Sequence, residues 1–260
     1  MDATRNIRIM GIVNLTDDSF FEGSRSLGKG IDAILEKIGK MTEDGATMVD
    51  IGACSSRPGA FAIGAEKEWE RLGKVLPKIR KAFPDIAISI DTEWSEVVRR
   101  CYDSIGSIIA NDVSGLSDPD MMHTVISLKI PYVYTFTGDT DMDGYFRNFS
   151  IDARKEGLEN WIIDPGFGFG KSLKENWRTL RAMGVLRLFR KPILVGLSRK
   201  SMLYAPLGIT PENALSATVA VNVLALQRGA DILRVHDIAQ AKEAISIYRM
   251  SEGEFLVKDS

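Results

Sequence analysis

The residues of this chain that could do chemistry share one kind of place, the end of a short apolar run. Asn14 follows "GIV", Asp50 and Arg57 lie within "VDIGACSSRPG", and Asp91 follows "ISI". Asn111 and Asp112 follow "IIA", Thr135 ends "PYVYT", and Asp164 follows "WII". Ser198, Arg199 and Lys200 come after "ILVGL", and Arg234 and His236 lie around "LRVHD". Asp91, Asn111 and Asp164 supply acceptors, and Asn111 also donors, which suits a flat, nitrogen-rich heterocycle presenting N–H groups. Lys200, Arg234 and His236 supply positive charge, which suits phosphate or diphosphate. No serine or cysteine nucleophile stands in a recognisable motif with a base, and there is no H-E-x-x-H. The chemistry these types allow is electrostatic stabilisation of a departing diphosphate, not covalent catalysis. His123, in "MMHTVISL", is expected to be structural.

The stretch "IIDPGFGFGKSLKEN" imitates a phosphate loop and fails the test. The position four spacers before Gly170 holds Pro165, and the dinucleotide pattern fails because its third glycine arrives one residue early. Its glycines are expected to keep the backbone low, so that Asp164 can reach a ligand edge. Lys171 is expected to be structural.

The elements that must position these groups follow from periodicity. "IRIMGIV", "TMVDI", "IAISI", "SIIA", "PYVY", "WII", "PILVG" and "DILRV" read as strands buried on both faces, as in a parallel sheet. Between them lie amphipathic stretches such as "GIDAILEKIGKMTEDG", "EKEWERLGKVLPKIRKAF" and "NALSATVAVNVLALQRG", the first and last ending at glycine. Eight β/α units in one uninterrupted chain predict a single (β/α)₈ barrel domain over 1–260, with its functional groups at the C-terminal ends of the strands. A doubly wound open sheet is the competing layout.

With 260 residues, 45 % hydrophobic and 26 % charged, the chain can bury a large core. A formal charge of −2 argues against a basic nucleic-acid face. Two cysteines, Cys54 and Cys101, form no metal clip and fit a reducing cytosol. No apolar run approaches a membrane span, so a cytoplasmic protein is expected, without nucleic-acid or membrane partners.

Taken in order, "MGIVNLTDDSFFEGSR", "VDIGACSSRPGA", "ISIDT", "NDVSG", "IIDPGFGFGK", "ILVGLSRKSM" and "GADILRVHD" resemble the dihydropteroate synthases of folate biosynthesis. The resemblance implies a pterin-binding (β/α)₈ barrel that joins 6-hydroxymethyl-7,8-dihydropterin diphosphate to p-aminobenzoate, releases diphosphate and uses Mg²⁺. It implies that Asn14 contacts the metal and the diphosphate, and that Arg234 and His236 hold the diphosphate. Asp91, Asn111, Asp164 and Lys200 are implied to bind the pterin, with Arg234 stacking on its ring. Ser56, Pro58, Phe169 and Ser201 are implied to surround p-aminobenzoate. Loops carrying Asp18, Ser19 and Phe20, and Ser55 and Arg57, match the family's mobile loops, whose closure excludes water. A homodimer and inhibition by sulfonamides are also implied.

Some positions depart from the family. Asp17 stands where proline is usual, Glu22 where aspartate is, and Cys54-Ser55-Ser56 where Glu-Ser-Thr is. After the fifth strand a Met-His-Met-type stretch is replaced by "YTFTGDTDMDGYFRNFSIDARKEG", which leads us to expect a shortened fifth helix. Two other readings stay open on sequence: a degenerate paralogue that binds pterin without condensing it, and a methyltetrahydrofolate methyltransferase-type barrel.

Overall fold

The computed structural model describes residues 5–15, 27–53, 63–138 and 141–254. Eight strands run parallel: β1 (Arg8–Asn14), β2 (Met48–Gly52), β3 (Ala87–Asp91), β4 (Ile109–Asp112), β5 (Tyr132–Thr135), β6 (Trp161–Asp164), β7 (Leu194–Val195) and β8 (Ile232–Val235). They follow one another around a curved sheet in the order β6-β5-β4-β3-β2-β1-β8-β7. A single parallel bridge, Ile163 to Ile193, joins the two outer strands and makes the barrel nearly closed. The open doubly wound layout is thereby excluded.

Among the described residues the connections are the helices α1 (Leu27–Asp44), α2 (Ala65–Ala82), α3 (Ser95–Ile105), α4 (Met121–Leu128), α5 (Met142–Glu156), α6 (Leu173–Ala182), α7 (Ser201–Leu207), α8 (Leu215–Gln227) and α9 (Ile238–Ser251). Local chemistry fixes their ends. Glu66 and Glu68 open α2 and Arg80 and Lys81 close it, each charge set against the opposite end of the helix dipole. Ser172 and Glu175 form a capping box on α6, so the serine that imitated a phosphate loop is a helix cap. His123 lies within α4 with its side chain exposed.

The expected shortening of the fifth helix is not what the structure contains. α5 runs for 15 residues, started by the Asp141 side chain accepting from the Gly144 amide and stopped by left-handed Gly157. The shorter helices are α4, with 8 residues, and α7, with 7. The sequence after β5 hid the helix because its glycine and aspartates resemble a loop, while Phe146, Phe149 and Ala153 supply the buried stripe that holds it down.

Two packed layers follow from strand alternation. The main core lies between strands and helices, with Ile9, Val13, Val49 and Ile51 pointing outward to it. A second, separate cluster of Met10, Met48, Ile109, Val133, Ile162, Leu194 and Ile232, with Ala87 against it, fills the barrel interior. Side chains two residues further along a strand face the same way. The next inward layer is therefore Ile12, Asp50, Ser89, Asn111, Thr135, Asp164, Gly196 and Arg234. The barrel is apolar at its waist and polar one step higher.

Candidate active site

That polar layer is wired together through Asp50, which is fully buried. Ser89 donates to its Oδ1 at 2.5 Å, the Asn111 amide to its Oδ2 at 3.1 Å, and Arg234 Nε to its Oδ2 at 2.6 Å. The other arm of Arg234 donates to Asp91 Oδ2 at 2.8 Å. One guanidinium from β8 thus spans carboxylates from β2 and β3. Burial, only partly countered by Arg234, pushes the Asp91 carboxyl above the usual range, and the nearby Asp50 adds to this. Sequence reading noted Asp50 at a strand end but gave it no role. Its partners lie 39, 61 and 184 residues away, beyond the reach of any spacing rule.

Asp164, at the end of β6, is buried and accepts from the Gly166 amide at 2.8 Å. Burial raises its pKa, with that amide and then Lys200 opposing the rise. Lys200 comes in from the segment after β7, donates to the Phe167 carbonyl and lies 4.4 Å from the centre of the Phe169 ring. Burial pushes its ammonium down to about 8, while Asp164 pulls the other way. Asn111, Asp164, Phe169, Lys200 and Arg234 line one cleft, together with Val113, Phe167 and Gly196. Into this inward layer point two buried oxygens without a hydrogen-bond partner, Asn111 Oδ1 and Thr135 Oγ1. Buried polar atoms are rarely left so, and a ligand offering N–H groups satisfies them.

Glycines make room for this. Gly168 has φ +82°, and a Cβ there would lie 2.8 Å from Lys200 Cδ. Gly166 has φ +67°, and a Cβ there would meet the Phe136 carbonyl oxygen. Lys171 donates to the carbonyls of Phe136 and Gly166 at 2.7 and 2.9 Å. It braces the turn after β6 against the end of β5, as a structural residue does. Phe136 itself is buried.

His236 follows β8, and its Nδ1 is 3.0 Å from Ser198 Oγ, which also accepts from the His236 amide. The sequence reading counted His236 as positive charge, and its surroundings oppose that charge. Partial desolvation, then repulsion from Arg234, pushes the imidazole below its ordinary range. Solvent tempers the effect because the residue is exposed, but a lowered His is neutral at pH 7. Arg199, set beside Lys200 in the sequence, turns away and pairs through both arms with Asp237 at 2.9 and 2.8 Å. Asn14 ends β1 beside Gly52, whose missing side chain leaves Asn14 Oδ1 and Asp91 on either side of it. Ser201 opens α7, is exposed, and is not among the residues lining the cleft. Ser55, Ser56, Arg57, Pro58, Asp18, Ser19 and Phe20 lie outside the described residues, as do Asp17, Glu22 and Cys54.

A barrel with acceptors and cations converging above an apolar plug defines a small-molecule enzyme of the α/β-barrel class. The family model for pterin binding enzymes matches residues 10–236. Dihydropteroate synthase of Escherichia coli strain K12 is 34% identical, covering 97% of this chain and 93% of its own. A solved Clostridium difficile dihydropteroate synthase, determined in the presence of pteroic acid, superposes with a TM-score of 0.88 at 29% identity, covering 96% of this chain and 98% of its own. A Xanthomonas albilineans dihydropteroate synthase with 4-aminobenzoic acid gives 0.84 at 34% identity, over 95% of this chain and 93% of its own. The chain belongs to the pterin-binding enzymes and, within them, to the dihydropteroate synthases of folate biosynthesis.

Proposed function

We propose that this chain condenses 6-hydroxymethyl-7,8-dihydropterin diphosphate with p-aminobenzoate, giving 7,8-dihydropteroate and diphosphate, through the residues of the cleft. The observation that carries this reading is the buried Asn111 Oδ1, unpartnered beside Asp164 in a cleft walled by Lys200 and Arg234. Asp164 and Asn111 accept the N–H edge of the pterin, and a ring lacking those donors leaves buried acceptors unmet. Arg234 is held by Asp50 and Asp91 in the inward layer, where its face can stack on the ring. Phe169, beside Lys200, walls the side where the arylamine enters.

In the reaction the methylene C–O bond breaks and its electron pair leaves with diphosphate. The pterin ring stabilises the resulting cation, the arylamine nitrogen bonds to that carbon, and its proton passes to solvent or to the departing diphosphate. The amine is already a nucleophile, so no strong base is needed. Lys200 and Arg234 meet the developing negative charge, and a neutral His236 contributes an N–H donor.

Magnesium is part of this reading. No group of three or more His, Cys, Asp or Glu among the described residues could cage a metal. Mg²⁺ seldom needs such a cage, since it takes one or two protein oxygens together with substrate phosphates and water. The Asn14 amide oxygen, beside Gly52 and Asp91, suits that donor set. When bound, the ion would supply charge neutralisation to the diphosphate.

We also place the enzyme in the cytoplasm. No described helix is long and apolar enough to cross a membrane, and Cys101 is a free, buried thiol. A homodimer through α7, α8 and α9 is part of the same proposal, supported by exposed Leu207, Leu224, Ile247 and Met250 on these helices.

A coupled assay for diphosphate release tests the activity. Both substrates together should give turnover, and Lys200→Ala or Arg234→Ala should lower kcat/KM by about 100-fold or more. Pterin binding without release would instead favour a degenerate pterin binder. Near-full activity in both variants would remove these residues from the mechanism.

A further inference from the structure

A larger pocket, about 670 Å³, opens at the opposite end of the barrel from the cleft. It is framed by the N-terminal ends of β1, β7 and β8, the face that in such barrels usually serves stability. Five cations line it, Arg5, Arg8, Arg187, Arg190 and Lys191, against one acid, Asp231. That acid is already committed. Its Oδ1 accepts from Arg5 Nε at 3.1 Å and its Oδ2 from the Ile193 amide at 2.9 Å. Arg5 is consumed in turn by Asp231, the Leu226 and Ala230 carbonyls and Tyr248.

The other four cations form no ion pair among the described residues, although Lys191 donates to the Glu159 carbonyl and lies 5.6 Å from the centre of the Trp161 ring. Arg8 Nε is in addition a buried donor with no hydrogen-bond partner. Like charges gathered in a concave wall repel one another unless something negative joins them. Nothing in the cleft chemistry uses them, since they lie at the other end of the strands. The backbone of Arg190 is in the left-handed region at φ 52°, and the stem of Arg187 lies over Gly229, with both side chains exposed to the pocket.

We propose that this pocket binds a small anion carrying two or more phosphate groups, in a site separate from the cleft. Guanidinium forks match phosphate oxygens in pairs, and Arg8 Nε gains its missing acceptor. A single phosphate carries too little charge to neutralise four cations. The concave shape favours a compact oligophosphate over a nucleic-acid duplex, which binds along an extended basic face. The proposal does not depend on the reaction assigned to the cleft.

Isothermal titration of the full chain with inorganic tripolyphosphate, in buffer of physiological ionic strength, tests this. Binding should be at least about tenfold tighter than that of orthophosphate. The variant Arg187→Gln/Arg190→Asn should weaken it by about tenfold or more, with unchanged melting temperature and unchanged turnover. Gln keeps the packed stem over Gly229, and Asn tolerates the left-handed backbone. Arg190→Asn alone, the milder change, should show part of the loss if the double variant melts early. ATP in parallel separates two sources of the same chemistry: equal affinity marks a site for phosphates alone, tighter ATP a nucleotide site, and either supports the proposal. Equal affinity in wild type and both variants overturns it, as does no tripolyphosphate binding at all. Binding of a DNA duplex but not of tripolyphosphate overturns it in favour of a nucleic-acid surface.

Discussion

Asp50 is the residue on which the inward polar layer depends, although it is placed to act on substrate only through others. Its carboxylate holds Arg234, Ser89 and Asn111 at once. Asp50→Asn keeps the shape and removes the charge, leaving Arg234 with Asp91 as its one remaining acid partner. Breaking a buried pair in this way costs about 3 kcal/mol or more, to be read by urea unfolding. As a positioning change it should lower kcat more than it raises KM, and Asp50→Glu should not restore geometry at a fully buried position. An unchanged kcat in Asp50→Asn would show that Arg234 needs no anchor. Lys200 gives a pH test. Its folded pKa, about 8, lies below the ordinary lysine value of 10.5, so the charged form that meets diphosphate is lost as pH rises through 8. kcat/KM should fall on that limb, and Lys200→Arg should move the limb to higher pH, since arginine keeps its charge. For stability the sign is opposite. Between about 8 and 10.5 the unfolded chain holds a proton the folded chain has released, so stability from this group rises with pH across that window. A stability advantage of Lys200→Met over wild type should shrink over the same range. A limb unmoved in Lys200→Arg would assign it to another group.

The turn after β6 shows what each glycine at element scale is for. Sequence reading took the glycines of "DPGFGFGK" to keep the backbone low, and the geometry gives the reason residue by residue. Gly166 approaches backbone, the Phe136 carbonyl, whereas Gly168 approaches the flexible stem of Lys200. Both are left-handed, which costs a non-glycine residue about 1–3 kcal/mol. Gly166→Ala adds a clash that no rotamer relieves, so its loss on urea unfolding should exceed that of Gly168→Ala. Gly168→Ala should instead raise KM for the pterin by displacing Lys200. The reverse order would mean that the turn relaxes as a body. Strand and helix positions were legible because their periods are local. The helix α5 was not, because its composition resembles a loop and its stability comes from packing Phe146 and Phe149 against an aromatic group with Tyr132, Tyr134 and Trp161. The cleft residues on strand ends were legible for the same reason as the strands. The Asp50 hub was not, because only the closed barrel brings its partners near, and the desolvation that lowers the His236 imidazole is likewise not displayed by the sequence.

On the scale of the molecule, alternation of eight strands and helices was enough to give the barrel, and the family motifs agree with it. What the pattern could not show is how unevenly the barrel is sewn. β7 contributes two residues where the run "PILVG" suggested a full strand, and the β6–β7 seam rests on one bridge, with the Ile163 amide bonded to the Pro192 carbonyl. Assembly is tested at this scale too. Sedimentation velocity should give twice the chain mass, and Ile247→Glu, which charges an exposed apolar position on α9, should shift the chain toward monomer. A wild-type monomer would end the dimer proposal.

The span of the Asp50–Arg234 bond has a consequence for how the chain is made. Arg234 reaches the ribosomal exit 184 residues after Asp50. Until then a carboxylate destined for the dry centre of the barrel has no cation of its own. The early strands can pair as they emerge, but their inner face stays wet until β8 docks against β1. Binding competence therefore arrives with the last strand and all at once, so a nascent chain stalled before residue 234 should hold no pterin, however much of its sheet has formed.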